Sequence, residues 1–115
     1  MPLGHDAVAG SCHCGAVQIR VAALPDELND CQCEHCQKRG ALWGYYRHDQ
    51  FEIAGPTTAY VWGDKMLQFH FCTSCGMTTH WWPIDTKVVT KMGLNARVFG
   101  RDVFQRIPVK TGNAS

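Results

Sequence analysis

No apolar run in this sequence approaches the roughly 20 residues that cross a bilayer, which argues against a membrane-spanning helix. Its start, Met1-Pro2-Leu3-Gly4-His5, has no basic segment leading into an apolar one and does not read as a secretory signal. A basic run is missing as well: 11 Lys and Arg stand against 10 Asp and Glu, for a formal net charge of +1, and Lys38-Arg39 is the densest spot. Nucleic-acid binding rests on neutralising several phosphates at once, so nucleic acid is not the expected partner. No nucleophilic-serine motif, phosphate-cradling glycine loop, repeat or low-complexity stretch is present, and no segment keeps a helical period for long. These absences leave a cytosolic, cytoplasmic domain that needs neither membrane nor nucleic acid. The sequence is silent on oligomeric state.

What is present is a succession of short strand-like runs and turns. The 115 residues read as one domain, and a domain of this size buries roughly two-thirds of the surface its unfolded chain exposes. Its stability margin is small, so a metal or cross-link would weigh heavily. The 11 Gly and 5 Pro fit a turn-rich fold. Residues 1–10 read as a loose lead-in. Ala16 to Val21 alternates, with Val17, Ile19 and Val21 on one face and Gln18 and Arg20 on the other, the pattern of a half-buried strand. Ala23 to Asp30, containing Pro25, reads as a loop, and Gln37 to Leu42 as a helical turn closed or interrupted at Gly40. Trp43 to Tyr46 and Phe51 to Ile53 read as strands around the polar turn Arg47-His48-Asp49-Gln50. After the turn signal Gly55-Pro56, Thr57 to Trp62 and Met66 to Phe71 predict a hairpin across Gly63-Asp64-Lys65. Thr78 to Trp82, stopped by Pro83, then Val88 to Met92 and Val103 to Ile107 complete the strands. The expected fold is mainly β, two small sheets packed together or a folded-over meander. Trp43, Phe51, Ile53, Leu67, Phe69, Phe71 and Phe104 are expected in the core, and the adjacent Trp81 and Trp82 on opposite faces.

Seven cysteines fall in three groups: Cys12-x-Cys14, Cys31-x-Cys33-x-x-Cys36, and Cys72-x-x-Cys75. In a reducing compartment such spacing points to metal ligands rather than disulfides, and an odd count cannot pair completely. Cys72 and Cys75 on a tight turn grip a metal from one side, and Gly76 lets the backbone aim its amides at the sulfurs. A structural zinc takes four ligands. Cys12 and Cys14, followed by Gly15, are the natural second pair, so Cys12, Cys14, Cys72 and Cys75 are the expected structural zinc ligands. Cys31, Cys33 and Cys36 remain, three ligands with one position open, as in catalytic zinc sites. Alternatives stay open here. The triplet and one further cysteine would make a single site, His35 or another residue would close a purely structural clamp, and Cys33-x-x-Cys36 also has redox spacing.

Three ordered segments then carry a family resemblance: Gly10-Ser11-Cys12-His13-Cys14-Gly15-Ala16-Val17, Cys31-Gln32-Cys33-Glu34-His35-Cys36, and Phe69-His70-Phe71-Cys72-Thr73-Ser74-Cys75-Gly76. Together with Met92-Gly93-Leu94-Asn95-Ala96-Arg97 they resemble the glutathione-dependent formaldehyde-activating enzyme and centromere protein V family. The resemblance implies a small, zinc-bound, β-sandwich-like domain of the Mss type with short helical turns, over residues 10–109. Residues 1–9 would be a flexible lead-in and 110–115 a tail. It also implies two Zn2+ per chain, divided as above, and a carbon–sulfur lyase activity joining formaldehyde to glutathione to give S-hydroxymethylglutathione. The expected partner is therefore a small thiol such as glutathione.

Among the remaining residues, His13, His35, His70 and His80 lie in or near the cysteine motifs, where an imidazole is a proton shuttle near neutral pH. A surface or outlying role is the plainer reading for each; His35 is the first choice for a catalytic base, and His70 is expected to be exposed or at an edge. Two non-enzyme readings stand beside the enzyme: a zinc module that docks a protein through exposed aromatics such as Trp82 or Tyr46, and a zinc or thiol sensor built on the triplet.

Overall fold

The computed structural model describes residues 7–31, 34–61, 67–85 and 91–112. Its strands, in chain order, are β1 (Val8–Ser11), β2 (Gln18–Val21), β3 (Leu28–Cys31), β4 (Trp43–Arg47), β5 (Phe51–Ala54), β6 (Thr57–Tyr60), β7 (Leu67–Cys72), β8 (Thr78–Pro83), β9 (Lys91–Asn95) and β10 (Val109–Gly112). Among the described residues helix is confined to α1 (Glu34–Arg39), α2 (Arg101–Phe104) and two 3-10 turns, His48–Gln50 and Ala96–Phe99. The strands make a three-stranded sheet, β1-β2-β5, and a seven-stranded sheet, β10-β3-β4-β9-β8-β7-β6. All pairings are antiparallel except β10 with β3. The fold is mainly β, as expected.

The alternation in β2 works as its sequence dictates. Val17, Ile19 and Val21 are fully buried while Gln18 and Arg20 face solvent. They pack with Phe51 of β5 against Tyr46, Met92 and Leu94 of the large sheet, the core of a two-layer sandwich. The opposite face of the large sheet is also buried. There Trp43, Phe69 and Trp81 pack with Cys31 and with Cys36 of α1. Adjacent residues therefore serve different cores: Trp81 belongs to the α1 side, Trp82 packs against the sandwich side, and Tyr45 and Tyr46 divide the same way. Gly93 makes the α1 side possible, because a Cβ there would run into the indole of Trp81.

Several expectations are corrected. The lead-in ends early, since Val8 and Ala9 already pair with Val21 and Arg20. The presumed tail contributes Lys110, Thr111 and Gly112 to β10, opposite Asn29, Asp30 and Cys31. The end of the expected loop 23–30 is strand β3, whose Leu-Asn-Asp-Cys sequence has no β signature and is held by long-range pairing with β4 and β10. Val103 to Ile107 is not a strand: α2 starts after Gly100 (φ +88°), and Phe104 and Ile107 enter one apolar cluster with Leu28 and Ala96. Phe104 is only half-buried, and Arg97 lies over its ring, 5.1 Å from the centroid. The helical turn begins three residues earlier than expected, at Glu34, and Gly40 closes it at φ +66°. The strands flanking His48–Gln50 form as expected, β4 in the large sheet and β5 in the small one. The hairpin of β6 and β7 forms as expected, while its turn at 63–65 and residues 86–90 lie outside the described residues.

Candidate functional site

The two Cys-Gly motifs fold into matching turns. In the first, the Cys12 amide donates to the Val17 carbonyl (3.1 Å) and the Gly15 amide to the Cys12 carbonyl (3.2 Å), with Gly15 at φ +82°. In the second, the Cys72 amide donates to the Met77 carbonyl (3.0 Å) and the Gly76 amide to the Cys72 carbonyl (2.9 Å), with Gly76 at φ +79°. The sandwich brings these turns together. The sulfurs of Cys12, Cys14, Cys72 and Cys75 all lie within 4.8 Å of one another. Cys12–Cys14 and Cys14–Cys72 sulfurs are each 3.7 Å apart. Four thiolates around a tetrahedral zinc at about 2.3 Å would sit about 3.8 Å from each other, so the cluster has the dimensions such an ion requires.

Its electrostatics fit as well. Sγ of Cys12 accepts from the Val17 amide (3.3 Å), and Sγ of Cys72 from the Ser74 (3.3 Å) and Cys75 (3.4 Å) amides. The Met77 and Cys14 amides pull the Cys75 thiol down to about 6. The Ala16 amide also pulls on Cys14, yet burial and the three neighbouring sulfurs outweigh it and push that thiol up to about 11. One sulfur thus ionises readily and another resists, because negative charges this close repel each other. A cation at the centre removes that conflict. The four cysteines form a cluster that could hold a metal ion.

Two cysteines of the triplet, Cys31 and Cys36, lie on the other face of the large sheet. Cys31 ends β3 and Cys36 sits on α1; both are buried in one cluster, and Trp43 Nε1 donates to Cys36 Sγ at 3.4 Å. Cys33 lies outside the described residues. Strand alternation puts Asn29 on the same face as Cys31, and Tyr45 on the same face as Trp43. Asn29 Nδ2 donates to the Tyr45 hydroxyl at 2.9 Å. Burial raises the Tyr45 phenol despite that bond, and Cys31 and Cys36 push it further, so it stays protonated. Asn29 and Tyr45 carried no motif in the sequence; only the pairing of β3 with β4 brings them to the cysteines.

His35 is on α1, not in a loop. Its Nε2 accepts from Arg39 Nε at 2.7 Å, and its ring packs on Phe69 (4.3 Å between centroids) and Tyr60 (5.7 Å). Burial, then the Arg39 charge, holds it below the usual histidine range. A base acting through Nε2 would have to break that bond. Arg39 also donates to Thr78 Oγ1 (3.0 Å) and lies over the rings of Tyr60 and Phe71. With Glu34, His35, Lys38 and Tyr60 it lines a cavity of about 480 Å³, so the basic pair, in the last turn of the helix that carries Cys36, borders this cavity.

Of the other histidines, His13 has the expected surface position, whereas His70 and His80 do not. His13 is exposed. His70 is half-buried rather than at a free edge, its ring stacked on His80 at 4.6 Å, and His80 is fully buried, bonded to Thr79 Oγ1 at 2.8 Å. Burial, reinforced by His70, drives His80 down to about 3. Tyr46 is buried and Trp82 half-buried against the core, so neither is the exposed aromatic that a docking module would use.

A search of the curated proteins gave no significant match. A crystal structure of a Rhodobacter sphaeroides protein, solved as a structural-genomics target, is similar with a TM-score of 0.72 and 28% identity, covering 90% of this chain and 100% of that one. The profile of the family described as glutathione-dependent formaldehyde-activating enzyme matches residues 7–104, a span that holds all three cysteine groups. The chain therefore belongs to the glutathione-dependent formaldehyde-activating enzyme family.

Proposed function

We propose that this protein is a zinc-dependent enzyme of the carbon–sulfur lyase type that joins a small thiol, with glutathione the leading candidate, to an aldehyde such as formaldehyde. The observation that carries the reading is the separation of the cysteines: four converge on the sandwich side, while Cys31 and Cys36 lie across the sheet, in a cluster of their own. Two zinc ions per chain would then have distinct tasks. Cys12, Cys14, Cys72 and Cys75 would hold one and tie the first turn to the seventh strand. Cys31, Cys33 and Cys36 would hold the other, which supplies a cation that favours the thiolate form of a thiol.

The surrounding residues suit such a substrate. Arg39 offers positive charge at the cavity beside α1, where Lys38 is paired with Glu34 at 3.0 Å; this fits a thiol bearing a carboxylate, and Tyr60 offers a ring for its chain to lie against. Trp43 orients the Cys36 sulfur through its indole N–H. Trp43, Phe69 and Trp81 keep bulk water from the inner side. Holding thiol and aldehyde together would supply much of the rate gain. A cytoplasmic setting, where thiols stay reduced, suits both the ligands and the substrate.

The test is the rate at which glutathione and formaldehyde exchange with their adduct, measured by NMR with zinc-loaded protein. Cys33→Ser should abolish the acceleration while zinc at the four-cysteine cluster and the fold persist. An unchanged rate in that variant would defeat the proposal.

A further inference from the structure

We propose that Asn29 and Tyr45 form a receptor for a hydroxyl oxygen beside Cys31 and Cys36, the oxygen of the hydroxymethyl group that the reaction creates. The inference rests on the function proposed above and adds the residues that handle the oxygen end of the substrate.

Asn29 is 3% exposed, and its Oδ1 is buried with no hydrogen-bond partner. Its Nδ2 is spent on the Tyr45 hydroxyl. That hydroxyl receives a hydrogen from Asn29, and its own proton goes to no acceptor among the described residues. The pair therefore leaves one buried acceptor and one donor open, side by side. Buried polar atoms left this way are costly and call for a ligand or a role. An acceptor next to a donor is the complement of a hydroxyl group, which gives one hydrogen and takes one. An aldehyde carbonyl can use only the donor, and a methyl group neither.

The chemistry balances on this arrangement. The sulfur of the thiol forms the new C–S bond, and the π pair of the carbonyl moves onto oxygen. Tyr45 donates a hydrogen bond to that oxygen as its negative charge grows, where a fixed donor helps most. The oxygen then takes a proton from water, replacing the one the thiol released to solvent. Nothing is oxidised or reduced, and Asn29 Oδ1 accepts the hydrogen of the finished hydroxyl. Lys91, whose ammonium sits 4.5 Å from the Tyr45 ring centroid, helps fix the phenol in place.

The experiment uses the zinc-loaded, full-length protein labelled with ¹⁵N. Two ligands are compared: S-methylglutathione, and the S-hydroxymethyl adduct that forms spontaneously from glutathione and formaldehyde. The Asn29 side-chain amide signals should move with the hydroxymethyl compound and not with the methyl one. Tyr45→Phe should slow adduct exchange by about tenfold or more and leave the affinity for S-methylglutathione unchanged. Equal responses to both ligands, no response to either, or a wild-type rate in Tyr45→Phe would overturn the receptor. If the wild-type protein discriminates the two ligands but accelerates nothing, the enzyme reading falls and the hydroxyl receptor stands. Should Tyr45→Phe fail to fold, Asn29→Ala carries the same expectations.

Discussion

Replacing Gly93 by alanine tests the packing that supports the candidate site. In most strands Gly→Ala is favourable by roughly 0.5–1 kcal/mol, because alanine has less freedom to lose. Here the sign reverses. The new Cβ would collide with Nε1, Cε2 and Cδ1 of Trp81. Neither side can yield cheaply. Gly93 is on β9, paired with both β4 and β8, and Trp81 is 3% exposed, packed in the cluster of Trp43 and Phe69. Overpacking of this kind costs about 1–3 kcal/mol, which exceeds the entropic gain. A net loss of about 1 kcal/mol would lower the melting temperature of a domain this size by roughly 4–8 °C. Urea denaturation of the zinc-loaded protein should show a lower midpoint with the same slope. Trp81→Phe removes the indole nitrogen from the collision, so the double variant should recover about 1 kcal/mol or more of coupling. A Gly93→Ala protein as stable as the parent, or additive effects in the pair, would show that Trp81 does not depend on the missing Cβ.

Two further outcomes are expected. A chelator should strip one zinc readily and leave a second; Cys31→Ser should lose only the labile ion, whereas Cys72→Ser should lose the resistant one. Structural zinc is worth roughly 10–16 kcal/mol of apparent binding energy, so Cys72→Ser should be largely unfolded at 37 °C by circular dichroism. For His80 the folded value of about 3 lies below the ordinary 6.5, so the unfolded chain takes up the proton first. Its contribution is present in full above pH 6.5 and declines as pH falls toward 3. Relative to His80→Phe, the wild type should therefore lose stability between pH 7 and pH 4, with both compared by urea titration; a constant difference would contradict the burial of a neutral imidazole.

How much was legible in the sequence depended on distance along the chain. Val17, Ile19 and Val21 announce their strand because alternation is local, and Leu67, Phe69 and Phe71 do the same. The four-cysteine cluster was readable across a long gap, since each half carries its own turn signature and lacks the same two ligands. Leu28 to Cys31 was not readable: nothing in it favours a strand, and its partners are β4 and the final strand. Val103 and Phe104 misled because apolar content was read without its spacing. Asn29 and Tyr45 were invisible for the same reason as β3, as ordinary residues made notable by the neighbours that the sheet gives them. The depth of His80 escaped because its strand is covered on both faces.

The parallel pairing of β10 with β3 sets an order on assembly. During synthesis, the ligands of the four-sulfur cluster have all emerged once Cys75 leaves the ribosome, while β8, β9 and β10 are still to come. The strand bearing Cys31 waits longer. Its outer neighbour is the stretch Val109–Gly112, in which Gly112 lies opposite Cys31. All four sulfur ligands are therefore made well before β3 has its outer neighbour.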